Sequence, residues 1–538
     1  MRALFSLTLL WLSLLLTACG GGSNNDDNDD TGSSNRFVDT QAAQCIKKSP
    51  FLQVGAGIDA PSQTLAIKPA TVGASVGKAP GNCANNQAYR FGSGRYDITG
   101  PVANTSGMGW EDPTQVLSGL HQRQYARAFT IESPCNGKRI AFVSTDTGMI
   151  FGSVRQGVLS AIANDADLAA HYGPENLMLS ATHTHQGPAG FSHHEAFNLF
   201  HFGFDQLVLD TIVNGIVEAI RLAHANIEAQ PQTASIDLAV GELLNTNINR
   251  SLFAFEQNSE AERHEFLNNR GEQITTNKRF VQLNLVRNNG SAVGVINWFG
   301  VHPTVVGSEL NLVSSDIKGY ASQGFERIMQ SDYNAESGPD NFVAAFAQKD
   351  EGDASPNIFI LERPHPDPTR GGGKDPYESN AISGTKQLAK ALELFEQGTP
   401  LTGPVDYRMF HVQMDAVTVT DPLVLASLQH PAELDAAEKR TCLAVVGPAF
   451  GAGAEDGPGF THEGVSCNDD PDIIQNAVDD IMAGSMGLIP PNLASTAALC
   501  NAGALPLLDI GCHAEKPILF VVGPPLSAEP HIVPMQIF

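Results

Sequence analysis

Apolar residues recur along this chain in two rhythms: short β-branched runs, and longer stripes at helical spacing. The run Asn176-Leu-Met-Leu-Ser-Ala predicts a short buried strand, stopped by the turn formers Gly187 and Pro188. Arg139 to Asp146, R-I-A-F-V-S-T-D, predicts another. Val154 to His171 reads as a helix between them, so Arg139 to His183 has the form of a β-α-β unit. Leu209, Ile212, Val213, Ile216, Ile220 and Ala223 make a clean helical stripe. Further strands are predicted at Ala234–Val240, Phe280–Val286, Val293–Val301 and Phe342–Gln348, and helices near Tyr320–Met329 and Leu388–Phe395. Gly92 to Pro101 reads as a strand or loop closed by a Gly-Pro turn. Phe37 to Tyr89, rich in Gly, Ala and Pro, reads as an irregular lead-in. The alternation predicts an α/β fold: a mixed central sheet with flanking helices. There is no internal repeat, no Gly-rich phosphate loop and no heptad.

The chain has 538 residues, 42% hydrophobic and 17% charged, which is ordinary globular composition. Its charge is not ordinary: 32 basic against 58 acidic residues give −26, a surface that repels nucleic-acid phosphates. Arg2 and the leucine-rich Leu4–Leu16, too short to span a bilayer, read as a signal peptide over 1–18. Leu16-Thr17-Ala18-Cys19 resembles a bacterial lipobox, which makes Cys19 the acylated first residue of the mature chain. Residues 19–36, with Gly, Ser, Asn and Asp, read as a disordered tether. The expected location is that of an exported lipoprotein, held at the outer membrane or cell surface through Cys19.

Seven cysteines remain: Cys45, Cys83, Cys135, Cys442, Cys467, Cys500 and Cys512. Export permits disulfides, and the absence of C-x-x-C argues against a cysteine metal site. Cys45 with Cys83, and one pair among the last four, are candidate bridges. The odd count leaves at least one cysteine unpaired.

Four stretches place polar groups at the ends of apolar runs, where rigid scaffolds hold reactive side chains. In A-T-H-T-H-Q-G-P, His183 and His185 are two apart, and in extended chain such side chains point to one face. Two imidazoles suit a zinc-sized ion, which normally takes three or four protein ligands; the same pair also suits surface histidines. In V-I-N-W-F-G-V-H-P-T, His302 ends a hydrophobic strand and could add a ligand from a neighbouring strand, or be a satisfied core histidine. In N-I-N-R-S, Arg250 could clamp a substrate oxygen or sit in a surface turn. In G-D-A-S-P-N, a turn presents Ser355 as a nucleophile, as a donor to an oxyanion, or as a plain turn serine.

Taken with other ordered motifs, these stretches resemble the neutral, non-lysosomal ceramidases from about Arg90 to the C-terminus. The motifs are D-I-T-G-P (Asp97–Pro101), G-L-H-Q-R…A-R-A-F (Gly119–Phe129), V-S-T-D-T-G-M (Val143–Met149) and A-T-H-T-H-Q-G-P-A-G-F (Ala181–Phe191). N-I-N-R-S (Asn247–Ser251), N-W-F-G-V-H-P-T (Asn297–Thr304), S-S-D-I-K-G-Y (Ser314–Tyr320), F-A-Q…G-D-A-S-P-N (Phe346–Asn357) and E-D-G-P-G (Glu455–Gly459) follow. The resemblance implies that 37–538 is a catalytic domain hydrolysing the amide of ceramide to sphingosine and a fatty acid. It implies zinc ligands at His183 and His302, a substrate-facing or outer-sphere role for His185, an active-site arginine at Arg250 and a catalytic serine at Ser355.

The family also uses a glutamate from a P-G-E-F-T-type segment and a later tyrosine as zinc ligands, then an immunoglobulin-like C-terminal domain. Neither segment occurs before Phe538, so the catalytic domain is expected to be incomplete and to hold zinc weakly. Asp146 and Asp316 are the candidate substitute carboxylates. Two other functions stay open at this point: a zinc amidase for other N-acyl lipids or peptides, and a lipid-binding remnant without catalysis. Oligomeric state is not legible.

Overall fold

The computed structural model describes residues 36–64, 83, 88–198, 201–230, 233–333, 341–362, 370–420, 439–459, 461, 463–484, 500, 513, 516–518, 520–521 and 532–538. The signal peptide, Cys19 and nearly all of the tether lie outside them.

Two mixed sheets form the centre. The first has the spatial order β1-β2-β3-β4, from Arg90–Asp97, Tyr125–Ser133, Lys138–Thr145 and Leu177–Ala181. The pairings are antiparallel except between β3 and β4, which run parallel from Ala141↔Leu177 to Thr145↔Ala181. The second sheet uses β5 (Ala234–Glu242), β7 (Arg279–Arg287), β8 (Ala292–Trp298), β9 (Val343–Ala347) and β11 (Thr399–Pro400), in the order β9-β8-β7-β5-β11. Its one parallel pair is β8 with β9. A two-residue ladder joins β6 (Ile248–Asn249) to β10 (Ala354–Ser355). Near the C-terminus, β12 (Arg408–Gln413) pairs antiparallel with β13 (Ile532–Ile537). No described helix is long and apolar enough to cross a membrane.

The α/β class and its flanking helices are found as read; the sheet layer is double. The period of two explains why. On β2 and β3, Phe129, Ile131, Ile140 and Phe142 face the second sheet and meet Ile236, Leu285, Val293 and Ile296. Ala126, Ala128, Ala141 and Val143 face the other way, toward α2 (Gly152–Ala163) and α4 (Gln206–Ala229). On β9, Val343 and Ala345 face the first sheet, while Ala344 and Phe346 pack on α5 (Asp316–Ile328) and α6 (Pro376–Phe395). The layers therefore run helix, sheet, sheet, helix, with three apolar seams between them. Glycines let one helix come unusually close: a Cβ on Gly92 or Gly94 of β1 would lie 1.9 or 2.3 Å from a carbonyl oxygen of α4.

Several boundaries differ from those read in the sequence. The helix expected to His171 stops at Ala163, because Asp165 accepts from the amides of Asp167 and Leu168 and starts a separate turn, α3 (Ala166–Ala169). Helix α6 begins twelve residues before the expected Leu388, at Pro376; these twelve residues bury Ser379, Asn380, Thr385 and Gln387, so no apolar stripe announces them. The lead-in holds a helix, α1 (Thr40–Lys47), and Phe37 enters the core beside Phe325 and Phe395. Cys83 bonds Cys135, not Cys45, with their Cα atoms 5.8 Å apart. Cys467–Cys500 supplies the expected bridge among the last four. Cys45 and Cys442 are also disulfide-bonded, and no described cysteine is free.

The two halves are clamped by a buried charge cluster. Arg127 of β2 reaches Asp146 at 2.8 Å and Glu326 of α5 at 3.0 Å, and all three are essentially inaccessible. Arg95 adds a second guanidinium at 3.3 Å from Glu326. Burial alone would raise both carboxyls. For Asp146 burial prevails, whereas at Glu326 the two guanidiniums outweigh it and hold the carboxyl below its ordinary range. Arg127→Met would leave two buried carboxylates without this partner, and is expected to cost about 3–5 kcal/mol, read from denaturant midpoints. Glu326's share has a definite sign: it is complete above pH 4.5 and is lost as pH falls through its lowered folded value. The wild type should therefore lose more stability than the variant on acidification from pH 5; parallel curves would remove this assignment.

Candidate metal centre and serine site

The histidines, and the turn that carries Ser355, come after the C-terminal ends of three parallel-paired strands, where α/β folds commonly place their sites. His183 and His185 follow β4, His302 follows β8 and Ser355 follows β9. Three imidazoles converge: His185 Nε2 lies 3.2 Å from His183 Nε2 and 3.0 Å from His302 Nε2. The rings stand nearly perpendicular, with centroids 4.5–4.8 Å apart. His183 and His302 thus meet as expected, and His185, expected outside the ligand pair, reaches the same point.

The route to this convergence is not an extended strand. β4 ends at Ala181, and His183 has a φ of 66°, a left-handed backbone that costs on the order of 1–3 kcal/mol outside glycine. That turn, rather than the alternation of a strand, brings the His183 ring onto His185. His302 likewise stands beyond its strand, which ends at Trp298, and is anchored by its amide to Ala354 O at 2.7 Å. Gly109, with a φ of 114°, passes so close that a Cβ would sit 2.7 Å from the His185 ring. Trp110 then packs edge-on against that ring at 5.0 Å.

The ring nitrogens are arranged for a cation. His183 Nδ1 lies 2.6 Å from Gly148 O and His302 Nδ1 3.2 Å from Glu351 O; in the tautomer in which these Nδ1–H groups donate to the carbonyls, each Nε2 carries a lone pair. His185 Nδ1 is buried and without a hydrogen-bond partner among the described residues. Burial, then neighbouring histidines and Arg250, lowers the His185 pKa well below 6.5; for His302, burial leads and Arg250 follows. The two Nε2 separations at His185, 3.2 and 3.0 Å, match the edge of a tetrahedron with metal–nitrogen bonds of about 2.0 Å, roughly 3.3 Å. The donor set fits a zinc-sized ion.

Ser355 is built into the adjacent wall. The β6/β10 ladder pairs Ile248 with Ser355 and Asn249 with Ala354, which joins the N-I-N-R-S and G-D-A-S-P-N segments and sets Arg250 beside the serine turn. The Arg250 guanidinium spans the site: Nη2 lies 3.2 Å from His302 Nδ1 and Nη1 3.0 Å from Asp456 Oδ1. Asp456 Oδ2 accepts from Ser355 Oγ at 2.5 Å and from Thr304 Oγ1 at 2.9 Å. All the expected site residues are therefore in one constellation. Asp456 is the residue that reading the sequence missed: E-D-G-P-G was visible as a motif, yet nothing in it says that its aspartate reaches a serine 101 positions earlier. The expected substitutes are engaged elsewhere. Asp146 pairs with Arg127, and Asp316 accepts from Asn380 Nδ2 at 3.2 Å on the buried α5–α6 side.

The model of the neutral/alkaline non-lysosomal ceramidase N-terminal region matches residues 89–538. Neutral ceramidase B of Dictyostelium discoideum is 36% identical over 477 residues, covering 84% of this chain and 60% of its own length. The neutral ceramidase of Pseudomonas aeruginosa is 34% identical over 459 residues, covering 85% and 60%. Among solved structures, a ceramidase complexed with C2 aligns with a TM-score of 0.63 at 31% identity, over 84% of this chain and 61% of that one. The crystal structure of neutral ceramidase from P. aeruginosa aligns with a TM-score of 0.60 at 29% identity, over 84% and 60%. The chain spans about 60% of the length of the curated relatives it matches. With its motifs, its fold and its converging histidines in agreement, the chain belongs to the neutral/alkaline non-lysosomal ceramidase family.

Proposed function

We propose that this chain carries a zinc-dependent amidase site that hydrolyses ceramide to sphingosine and a fatty acid. The observation that carries the reading is the meeting of three imidazoles beside a buried serine, with His185 Nε2 3.2 Å from His183 Nε2 and 3.0 Å from His302 Nε2. An unactivated amide needs a polarised carbonyl, a nucleophile and a stabilised oxyanion. Zinc, when bound, supplies the Lewis acid that polarises the carbonyl. His183 and His302, tethered through their Nδ1 atoms, are the fixed donors, and His185 is a third donor without such a tether. Arg250, charged and immobilised by Asp456 and the carbonyl of Gly352, offers hydrogen bonds to a developing oxyanion. Ser355 stands in the same wall as the candidate nucleophile.

A lipid substrate agrees with a cavity of about 360 Å³ alongside β6, lined in part by Ile58, Ile248, Leu252, Ile274, Ile358 and Leu361. An acylated Cys19 would hold such a site at a membrane surface, which is part of the same proposal, as is an exported location.

Purified chain titrated with zinc and assayed for sphingosine release by mass spectrometry tests the reading. Chelation should abolish release and added zinc should restore it. His302→Ala is expected to weaken zinc binding at least about 100-fold, measured by competition with a chromophoric chelator. Zinc binding without any ceramide cleavage removes the catalytic reading and leaves a lipid-binding one; faster cleavage of N-acyl peptides moves the substrate class. Separately, Ser355→Ala should lower kcat on the order of 10³-fold while leaving zinc binding intact. Near-normal turnover in that variant takes the nucleophile role from Ser355.

A further inference from the structure

We infer that Asp456 is the proton acceptor that commits the hydroxyl hydrogen of Ser355, so that Ser355 turns a lone pair, not a proton, toward the substrate carbonyl. This rests on the amidase reading above and decides between the two roles a serine can take there. A hydroxyl has one hydrogen and two lone pairs. The amide of Asn357 donates to Ser355 Oγ at 3.0 Å, which occupies one lone pair. The carboxylate 2.5 Å away has no hydrogen to give, so the Ser355 O–H donates to Asp456 Oδ2. One lone pair is left free, and no hydrogen remains for an oxyanion. Ser355 is thereby excluded as an oxyanion donor, and that task falls to Arg250.

Asp456 is equipped to stay in this accepting state. It is fully buried, yet both carboxylate oxygens are served, from three segments: Arg250 at Oδ1, and Ser355 and Thr304 at Oδ2. Its main-chain oxygen accepts from Arg370 Nη1 at 2.6 Å. Burial works against its charge, and Arg250 with these hydrogen bonds outweighs burial. A purely structural cross-link would be complete with the Arg250 and Arg370 contacts; the bond to Ser355 adds chemistry.

The step that follows balances. As Ser355 Oγ bonds to the carbonyl carbon, its O–H bond breaks and the proton goes to Asp456 Oδ2. The proton passes to the amide nitrogen as the C–N bond breaks, giving a free amine and an acyl ester on Ser355. Water then cleaves that ester, releasing the carboxylic acid and returning a hydrogen to Ser355.

The test follows two readouts on the zinc-loaded chain: labelling of Ser355 by a fluorophosphonate, read by intact-mass spectrometry and peptide mapping, and ceramide hydrolysis. Asp456→Asn is expected to slow labelling at least about tenfold and to lower kcat by a similar factor with KM nearly unchanged. If that variant does not fold, Asp456→Glu, which keeps the charge but misplaces it, should slow labelling and spare KM. Labelling at the wild-type rate in whichever variant folds overturns the inference, as does a wild-type Ser355 that does not react. Labelling that depends on Asp456 in a chain that cleaves no ceramide would sink the amidase reading and leave this role standing.

Discussion

The site depends first on how the two sheets stack. Each sheet contains one parallel pair, β3 with β4 and β8 with β9, and all four strands end at the same edge of the sandwich. The seam of Phe129, Phe142, Leu285 and Ile296 fixes the distance between those edges. Apolar seams are non-directional, and they would tolerate a slip of one sheet over the other. The Arg127–Asp146–Glu326 cluster removes that freedom, because a buried guanidinium has one position in which it meets both carboxylates. Asp146 belongs to the same β3 exit that supplies Gly148 O to His183, so the clamp and the imidazole cluster share a loop.

A second constraint is the handling of charge in a buried pocket. Three imidazoles that came together protonated would repel strongly, and burial keeps His185 and His302 neutral instead. Neutrality is also what a metal ligand requires. Arg250 is the permanent cation of the site, and Asp456 answers it across 3.0 Å. Gln186, next to His185, donates to the carbonyls of Val306 and Gly307 at 2.7 and 2.8 Å, which ties the loop after His302 to the loop after β4. The imidazoles are thus held from behind by amide-to-carbonyl bonds, which do not change with pH.

How much of this was legible in the sequence follows from what each signal measures. Alternation and helical stripes found the strands and helices whose cores are apolar, including the β3-α-β4 unit with its parallel register. They did not find α6 before Leu388, where Asn380 and Gln387 are buried, since periodicity registers hydrophobicity and not burial. They did not separate one sheet from two, because β2 and β8 have apolar residues on both faces in either arrangement. His183, His302, Arg250 and Ser355 could be named from their motifs. The left-handed turn at His183 could not, and with it went the reason that His185 reaches the same point. Asp456 was hidden for a different cause: its partners are distant in sequence, and a long-range hydrogen bond leaves no local pattern.

The charge balance of the finished pocket points back to the reaction. Arg250 and a divalent ion among the three imidazoles would together outnumber the single carboxylate of Asp456, leaving the pocket with an excess of positive charge. Such an excess is unfavourable in a low-dielectric wall unless something negative arrives. A neutral amide brings none in its ground state, whereas the tetrahedral species formed from it carries an oxyanion. The excess is therefore relieved more fully in the transition state than in the bound substrate, which is the condition for catalysis as opposed to mere binding. By holding the Ser355 hydrogen, Asp456 would leave the arginine and a cation held by the neutral imidazoles as the positive partners of that oxygen. One aspartate, arriving from a hairpin that pairs Gly453 with Pro458, thereby sets the polarity of the serine and the sign of the pocket together.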